Sequence, residues 1–307
     1  MDTFIQQIIN GLVLGSMYAL VALGYTMVYG IINLINFAHG EVLMVGALVA
    51  WTVVTWLADA GMPGWALLLL ALAVAMVACM ALNYVIEKLA YRPLRSAPRL
   101  APLITAMGVS LLLQTLAMIL WKPDYKPFPI LLPDEPYEIM GATINLVQIL
   151  ILVVAAGTMA GLLALIHLTP LGRAMRATAE NPRVAQLMGV QPDKVISATF
   201  VIGAALAALA GVMWAANYGS VQHTMGFLPG LKAFTAAVFG GIGNLGGAML
   251  GGILLGLIEA LGAGYIGDLT NGLLGSNYQD IFAFTVLILV LTLRPQGLLG
   301  ERVADRS

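Results

Sequence analysis

Nine apolar stretches follow one another along this chain, running from Phe4 to Tyr29, Asn36 to Leu57, Trp65 to Ile86, Leu100 to Trp121, Ile144 to His167, Val195 to Ala216, Leu231 to Gly246, Gly247 to Tyr265 and Ile281 to Leu293. A helix that crosses a bilayer needs about 20 apolar residues. The chain is 60% hydrophobic and only 9% charged, whereas soluble domains are about one quarter charged, so its solvent must be mostly lipid. The fold class expected is all-α, a polytopic helical membrane protein of eight to ten transmembrane helices forming a single membrane domain over residues 1–307. The range reflects residues 231–265, where two short, glycine-broken stretches fit two helices, a re-entrant hairpin or one tilted helix. Broken backbone at membrane depth is tolerated only under protein or against a water-lined cavity.

Fourteen Lys and Arg against fifteen Asp and Glu give a net charge of -1, with no basic excess for nucleic acid. The one cysteine, Cys79, excludes disulfides within the chain and cysteine-built metal sites. Met1-Asp2-Thr3 lacks the basic region of a cleavable signal peptide, so the first stretch reads as a retained helix. Cations in short loops stay on the cytoplasmic side. They cluster at Lys88, Arg92, Arg95 and Arg99, at Arg173, Arg176, Arg183 and Lys194, and at Arg294, Arg302 and Arg306. Those three regions are expected inside. The Pro-rich stretch 121–143, where Lys122 and Lys126 face Asp124, Asp134, Glu135 and Glu138, and the cation-free connector Ile266 to Asp280 are expected outside. A nine-span path satisfies every assignment, with the N-terminus periplasmic and the C-terminus cytoplasmic.

Small residues recur every four positions at Gly11, Gly15 and Ala19, at Gly203, Ala207, Gly211 and Ala215, and at Ala248, Gly252, Gly256, Ala260 and Gly264. Such stripes let helix backbones approach closely in lipid and are read as packing faces. Their presence in the first and sixth stretches is compatible with two internal structural repeats.

The connector 168–194 is full of helix punctuation. Thr169 caps a helix starting at Pro170, Asn181 caps a second starting at Pro182, and Gly189 ends it. Two short helices meeting at a corner result. The second carries Val184, Leu187 and Met188 as an apolar knob beside Arg183, and an exposed apolar patch on a connector marks a docking site.

Asn33, Asn36, His39 and Glu41 gather where the second stretch begins. Polar and ionisable groups at membrane depth signal a transport path or a buried polar network; Asn36 and His39 either line such a path or cap the helix and fix its bend. Lys232 and Glu259 are isolated charges in apolar surroundings and are expected to pair with each other. The three histidines, His39, His167 and His223, form no zinc pattern, and there is no Gly-x-Ser-x-Gly elbow. None of the five lysines follows a glycine, so a Walker A loop is absent. The chain is therefore expected to be non-catalytic.

Several segments in order carry a resemblance over nearly the whole length. They are Leu14-Gly-Ser-Met-Tyr-Ala-Leu20, Gly24-Tyr-Thr-Met-Val-Tyr-Gly30, Asn36-Phe-Ala-His-Gly-Glu41, Tyr91-Arg-Pro-Leu-Arg95, Gly172-Arg-Ala-Met-Arg-Ala-Thr-Ala-Glu180, Lys232-Ala-Phe-Thr-Ala-Ala-Val238, Gly240-Gly-Ile-Gly243 and Arg294-Pro-Gln-Gly297. On these the chain resembles the LivH-type permease subunit of the high-affinity branched-chain amino acid ABC importers. The resemblance implies an inner-membrane importer of leucine, isoleucine and valine with a second, homologous permease subunit, two cytoplasmic ATPases that use ATP and Mg, and a periplasmic substrate-binding protein. This chain would bind no cofactor. Residues 168–194 would be the coupling element, with Arg173, Arg176, Glu180, Arg183, Val184, Leu187 and Met188 facing the ATPase. Related permeases import urea, short amides or other neutral amino acids. An ion-coupled secondary carrier would instead use Glu41 or Glu259 as its coupling carboxylate.

Overall fold

A computed structural model of the chain describes residues 2–95, 97–98, 100–133, 135–139, 141–269 and 279–300. Arg99, Asp134, Arg302, Arg306 and residues 270–278 of the expected outer connector lie outside them. Among the described residues the helices are α1 (Asp2–Ile32), α2 (His39–Trp56), α3 (Gly64–Ile86), α4 (Leu100–Trp121), α5 (Leu146–Leu168), α6 (Pro170–Glu180), α7 (Pro182–Leu187), α8 (Pro192–Tyr218), α9 (Phe227–Gly240), α10 (Leu245–Leu269) and α11 (Gln279–Leu293). Four strands of two or three residues supplement them: β1 (Lys126–Pro127), β2 (Tyr137–Ile139), β3 (Ala142–Ile144) and β4 (Ser220–Val221). They pair antiparallel as β1 with β4 and β2 with β3.

Seven of these helices are long and apolar enough to cross a membrane, and α9 and the end of α11 are shorter apolar helices. The expectation of eight to ten spans is thus met only if the short helices count. The shortness of α9 has a physical origin, because it starts part-way through the bundle. The pair α9 and α10 forms a tight hairpin about residues 241–244, and Leu298 and Leu299 donate backbone hydrogen bonds of 2.9 Å to Phe239 and Gly240 at its turn.

The small-residue stripes pack as expected. A Cβ added at Gly11 would lie 2.8 Å from Leu257 Cα, and one at Gly15 would lie 2.7 Å from Ile253 Cα, so α1 and α10 are in backbone contact. Van der Waals contact of this kind replaces the hydrophobic effect as the force between helices in lipid. Gly46 meets Ala208 in the same way, with 2.8 Å from its would-be Cβ to Ala208 Cα, joining α2 to α8. Asn83 Nδ2 donates to the Phe200 carbonyl at 2.7 Å and ties α3 to α8.

Contacts at the two ends fix the path of the chain. At one end, Trp51 donates to the Pro127 carbonyl at 3.0 Å, Trp121 to Thr52 Oγ1 at 2.8 Å, and the Thr143 N–H to Gln6 Oε1 at 2.8 Å. Pro127 and Thr143 of the Pro-rich stretch are therefore held against the ends of α2 and α1, and Phe128 is buried. At the other end, Arg92 and Arg95 pair with Asp193 at 2.9 and 2.6 Å, and Arg95 also pairs with Glu87. The connector after α3 and the connector 168–194 thus share one Arg-rich end.

Between α1 and α2 the chain turns back into the bundle. Asn33 has φ 51, a left-handed conformation that Asn accepts more readily than most residues, and it receives the end of α1. The chain then climbs to His39, whose imidazole occupies the space beside Gly24. Gly24 lies eight residues before Ile32, which at 1.5 Å per residue is about 12 Å up the helix. The chain after β4 makes the converse excursion, descending from the Pro-rich end to Gly226. There it meets the start of α2: the Gly40 Cβ position would be 2.8 Å from Gly230 Cα. Two helices, α2 and α9, therefore begin inside the bundle and run to opposite ends.

Candidate functional site

The meeting of α2 and α9 gathers the polar residues of the interior. His39 is buried and packs edge-on against Tyr25 with ring centroids 4.9 Å apart. Neither Asn36 nor His39 is the helix cap: the residue before α2 is Ala38, and no side chain caps it. Asn36 Oδ1 instead accepts from the Ala38 N–H at 3.1 Å and from the Tyr91 hydroxyl at 2.8 Å, which holds the re-entrant loop. Glu41, in the first turn of α2, is also buried. Its Oε1 accepts from Gln114 at 2.7 Å and from Ser110 at 3.1 Å, both on α4. A cavity of about 300 Å³ opens here, lined among others by Tyr25, Glu41, Ser110, Gln114, Gly226 and Gly230.

A wider cavity of about 840 Å³ reaches from Tyr125 and Ser220 at the Pro-rich end to Lys232, Glu259 and Asp280, and it shares Leu111, Gln114 and Phe227 with the smaller one. Lys232 Nζ lies 2.8 Å from Glu259 Oε1 and 2.7 Å from Asp280 Oδ1. The expected Lys232–Glu259 pair is present, with Asp280 as a second carboxylate and the Tyr18 hydroxyl donating to Glu259 Oε2 at 2.9 Å. Ionisable groups at membrane depth almost always pair with one another, as these do.

At the Arg-rich end the cornered helix pair forms as its punctuation requires. Thr169 Oγ1 accepts the Gly172 N–H at 3.1 Å, and Asn181 Oδ1 accepts those of Arg183 and Val184 at 3.0 and 3.1 Å. Gly189 closes the corner at φ 86. Leu187 is 86% exposed and Met188 79%, so the apolar knob stands free beside Val184 and Arg183. Arg173 and Glu180 are exposed too. Arg176 turns back, its guanidinium donating to the Ile166 carbonyl at the end of α5. A third cavity, of about 870 Å³, lies between α7, Asn33 and the Arg92–Arg95 turn. Among the described residues no three His, Cys, Asp or Glu side chains converge on a metal position.

The family described as branched-chain amino acid transport system, permease component, matches residues 7–291. This chain belongs to that family. It is 48% identical to the high-affinity branched-chain amino acid transport system permease protein BraD of Pseudomonas aeruginosa, covering 99% of this chain and 98% of that protein. To the LivH permease protein of the Escherichia coli K12 system of the same name the identity is 44%, over 99% and 97% of the two chains. The ribose import permease protein RbsC of Haemophilus influenzae is 34% identical over only 41% of this chain. No solved structure matches the chain.

Sequence reasoning placed Asn36, His39 and Glu41 together and paired Lys232 with Glu259. It missed Tyr18, Tyr91, Ser110, Gln114 and Asp280, which reach these groups from other helices. Gln114 offered a signal, being a lone amide in the apolar run of α4.

Proposed function

We propose that this chain is the membrane-spanning permease subunit of an ATP-binding-cassette importer for leucine, isoleucine and valine. The observation that carries this reading is the near full-length identity to two permease proteins of high-affinity branched-chain amino acid systems. In this reading the chain sits in the inner membrane with its Arg-rich end in the cytoplasm and pairs with a second, homologous permease subunit. Two ATPases bind ATP and Mg, and the exposed knob of Val184, Leu187 and Met188 enters a groove on one of them. A periplasmic binding protein lands on the Pro-rich end. The nine helices α1–α5 and α8–α11 cross or enter the bilayer.

The translocation path runs beside the starts of α2 and α9. Broken helices that begin at mid-membrane and head to opposite faces are the arrangement that inverted repeats produce in transporters, where they line the substrate route. The units α1–α2 and α8–α9 would be such repeats. A chain of contacts supports the transmission of ATPase motion to this point. Asp193, next to the docking helices, holds Arg92 and Arg95; these follow directly on a π-helical turn over Glu87–Tyr91; and Tyr91 holds Asn36 at the root of α2. π-turns of this kind are frequent at functional sites.

Co-purification tests the reading. The tagged chain extracted in detergent should bring down a second permease and two ATPases. Isolation of the chain by itself or only as copies of itself would contradict it.

A further inference from the structure

We infer that Lys232, Glu259 and Asp280 form a transfer site for the zwitterionic head of the transported amino acid, with the carboxylates taking its ammonium and Lys232 its carboxylate. The inference rests on the importer reading above and assigns where in this chain the substrate's two charges are met.

Charge balance points first. Among the described residues lining the 840 Å³ cavity, the ionisable acids and bases are one lysine and two carboxylates. Lys232 can neutralise only one of them, so with both ionised the cluster carries one negative charge in excess. In a bilayer such a charge is costly, and a transiting cation would relieve it. The carboxylates also differ in access. Glu259 is 1% exposed and held by both Tyr18 and Lys232, whereas the Asp280 side chain is 37% exposed. Asp280 is the one that an incoming ammonium reaches.

The walls fit a cation as well. Tyr18, Trp214 and Tyr218 form a continuous aromatic row, with centroid separations of 5.9 and 4.9 Å, and all three line the cavity. Lys232 Nζ already lies 5.8 Å from the centre of the Tyr18 ring. Aromatic faces at this range attract ammonium groups, and the same row offers apolar surface to an aliphatic side chain. An ammonium that displaces Lys232 from Asp280 frees Nζ to pair with the substrate carboxylate, so no charge is left bare during the exchange. A site of exchanged ion pairs holds its ligand weakly, as a passage must.

The test uses the complete complex in proteoliposomes, with leucine-loaded binding protein outside and ATP inside. Leucine uptake and ATP turnover are measured together for the wild type, Asp280→Asn and Asp280→Glu. Loss of one charge-assisted contact is worth about tenfold or more. Leucine carried per ATP should fall by about that factor in Asp280→Asn and return toward the wild-type ratio in Asp280→Glu, with binding-protein-stimulated turnover within about twofold of normal. Two results would overturn the inference: an unchanged ratio in Asp280→Asn, or a reduced yield of complex whose surviving fraction transports normally, which is the mark of a structural ion pair. A wild-type complex that hydrolyses ATP and carries no leucine would overturn the importer reading and this inference with it.

Discussion

The Tyr91 hydroxyl donates a 2.8 Å hydrogen bond to Asn36 Oδ1 and so joins the π-helical turn at the foot of α3 to the re-entrant loop in front of α2. Both residues are buried, and the Tyr91 ring packs on Phe200 with centroids 5.3 Å apart. Removing the hydroxyl leaves that packing in place, and Asn36 Oδ1 keeps its bond from the Ala38 N–H. Tyr91→Phe should therefore cost only about 1 kcal/mol of stability. Its expected effect is on coupling: normal assembly and ATP turnover with several-fold less leucine carried per ATP. Equal coupling in Tyr91→Phe and wild type would mean that the bond merely anchors the loop.

Docking of the ATPase is tested at the knob on α7. Leu187→Asp places a carboxylate where burial against the partner is expected, at about 3 kcal/mol or more if it stays unpaired, or roughly a hundredfold in affinity. Membrane insertion should be normal, since Leu187 is 86% exposed. Pull-down of the ATPase at unchanged yield would remove α7 from the coupling interface.

Gly24 and His39 give a test of the re-entrant geometry. A methyl group at Gly24 would collide with the His39 imidazole, and such overpacking costs about 1–3 kcal/mol. Gly24→Ala should lower the thermal stability of the purified chain. Combining it with His39→Ala vacates the ring's space, so the double variant should be more stable than the sum of the single effects. Strict additivity would place His39 somewhere other than beside Gly24.

Salt dependence tests the landing surface. Glu135 and Glu138 are exposed on the Pro-rich stretch, while Asp134 lies outside the described residues. Charge reversal at Glu135 and Glu138 should weaken stimulation of ATP turnover by the loaded binding protein, most at low salt, where exposed charges act over longer range. Stimulation unaffected by either change would make the stretch a spacer.

Much of this was legible in the residues because local rules govern it. Thr169, Asn181 and Gly189 shape the corner through their own backbone preferences, and the Gly11–Gly15 stripe finds its partner because only small residues allow such contact. The depth at which α2 begins was not legible. Asn36 and His39 fitted either a transport path or a helix cap, and only the tertiary bond from Tyr91 and the space beside Gly24 show that neither serves as the cap. Asp280 was likewise invisible as a partner of Lys232: the two are 48 residues apart, and only the α9–α10 hairpin with α11 beside it brings them together.

The most direct test of the transport assignment is leucine uptake by the reconstituted complex with energy sources separated. Uptake should require ATP inside the vesicle and the loaded binding protein outside, and should persist when proton and sodium gradients are collapsed. Leucine uptake that continues without ATP and follows an imposed ion gradient would contradict it, and would make Glu41 or Glu259 the coupling group of a secondary carrier.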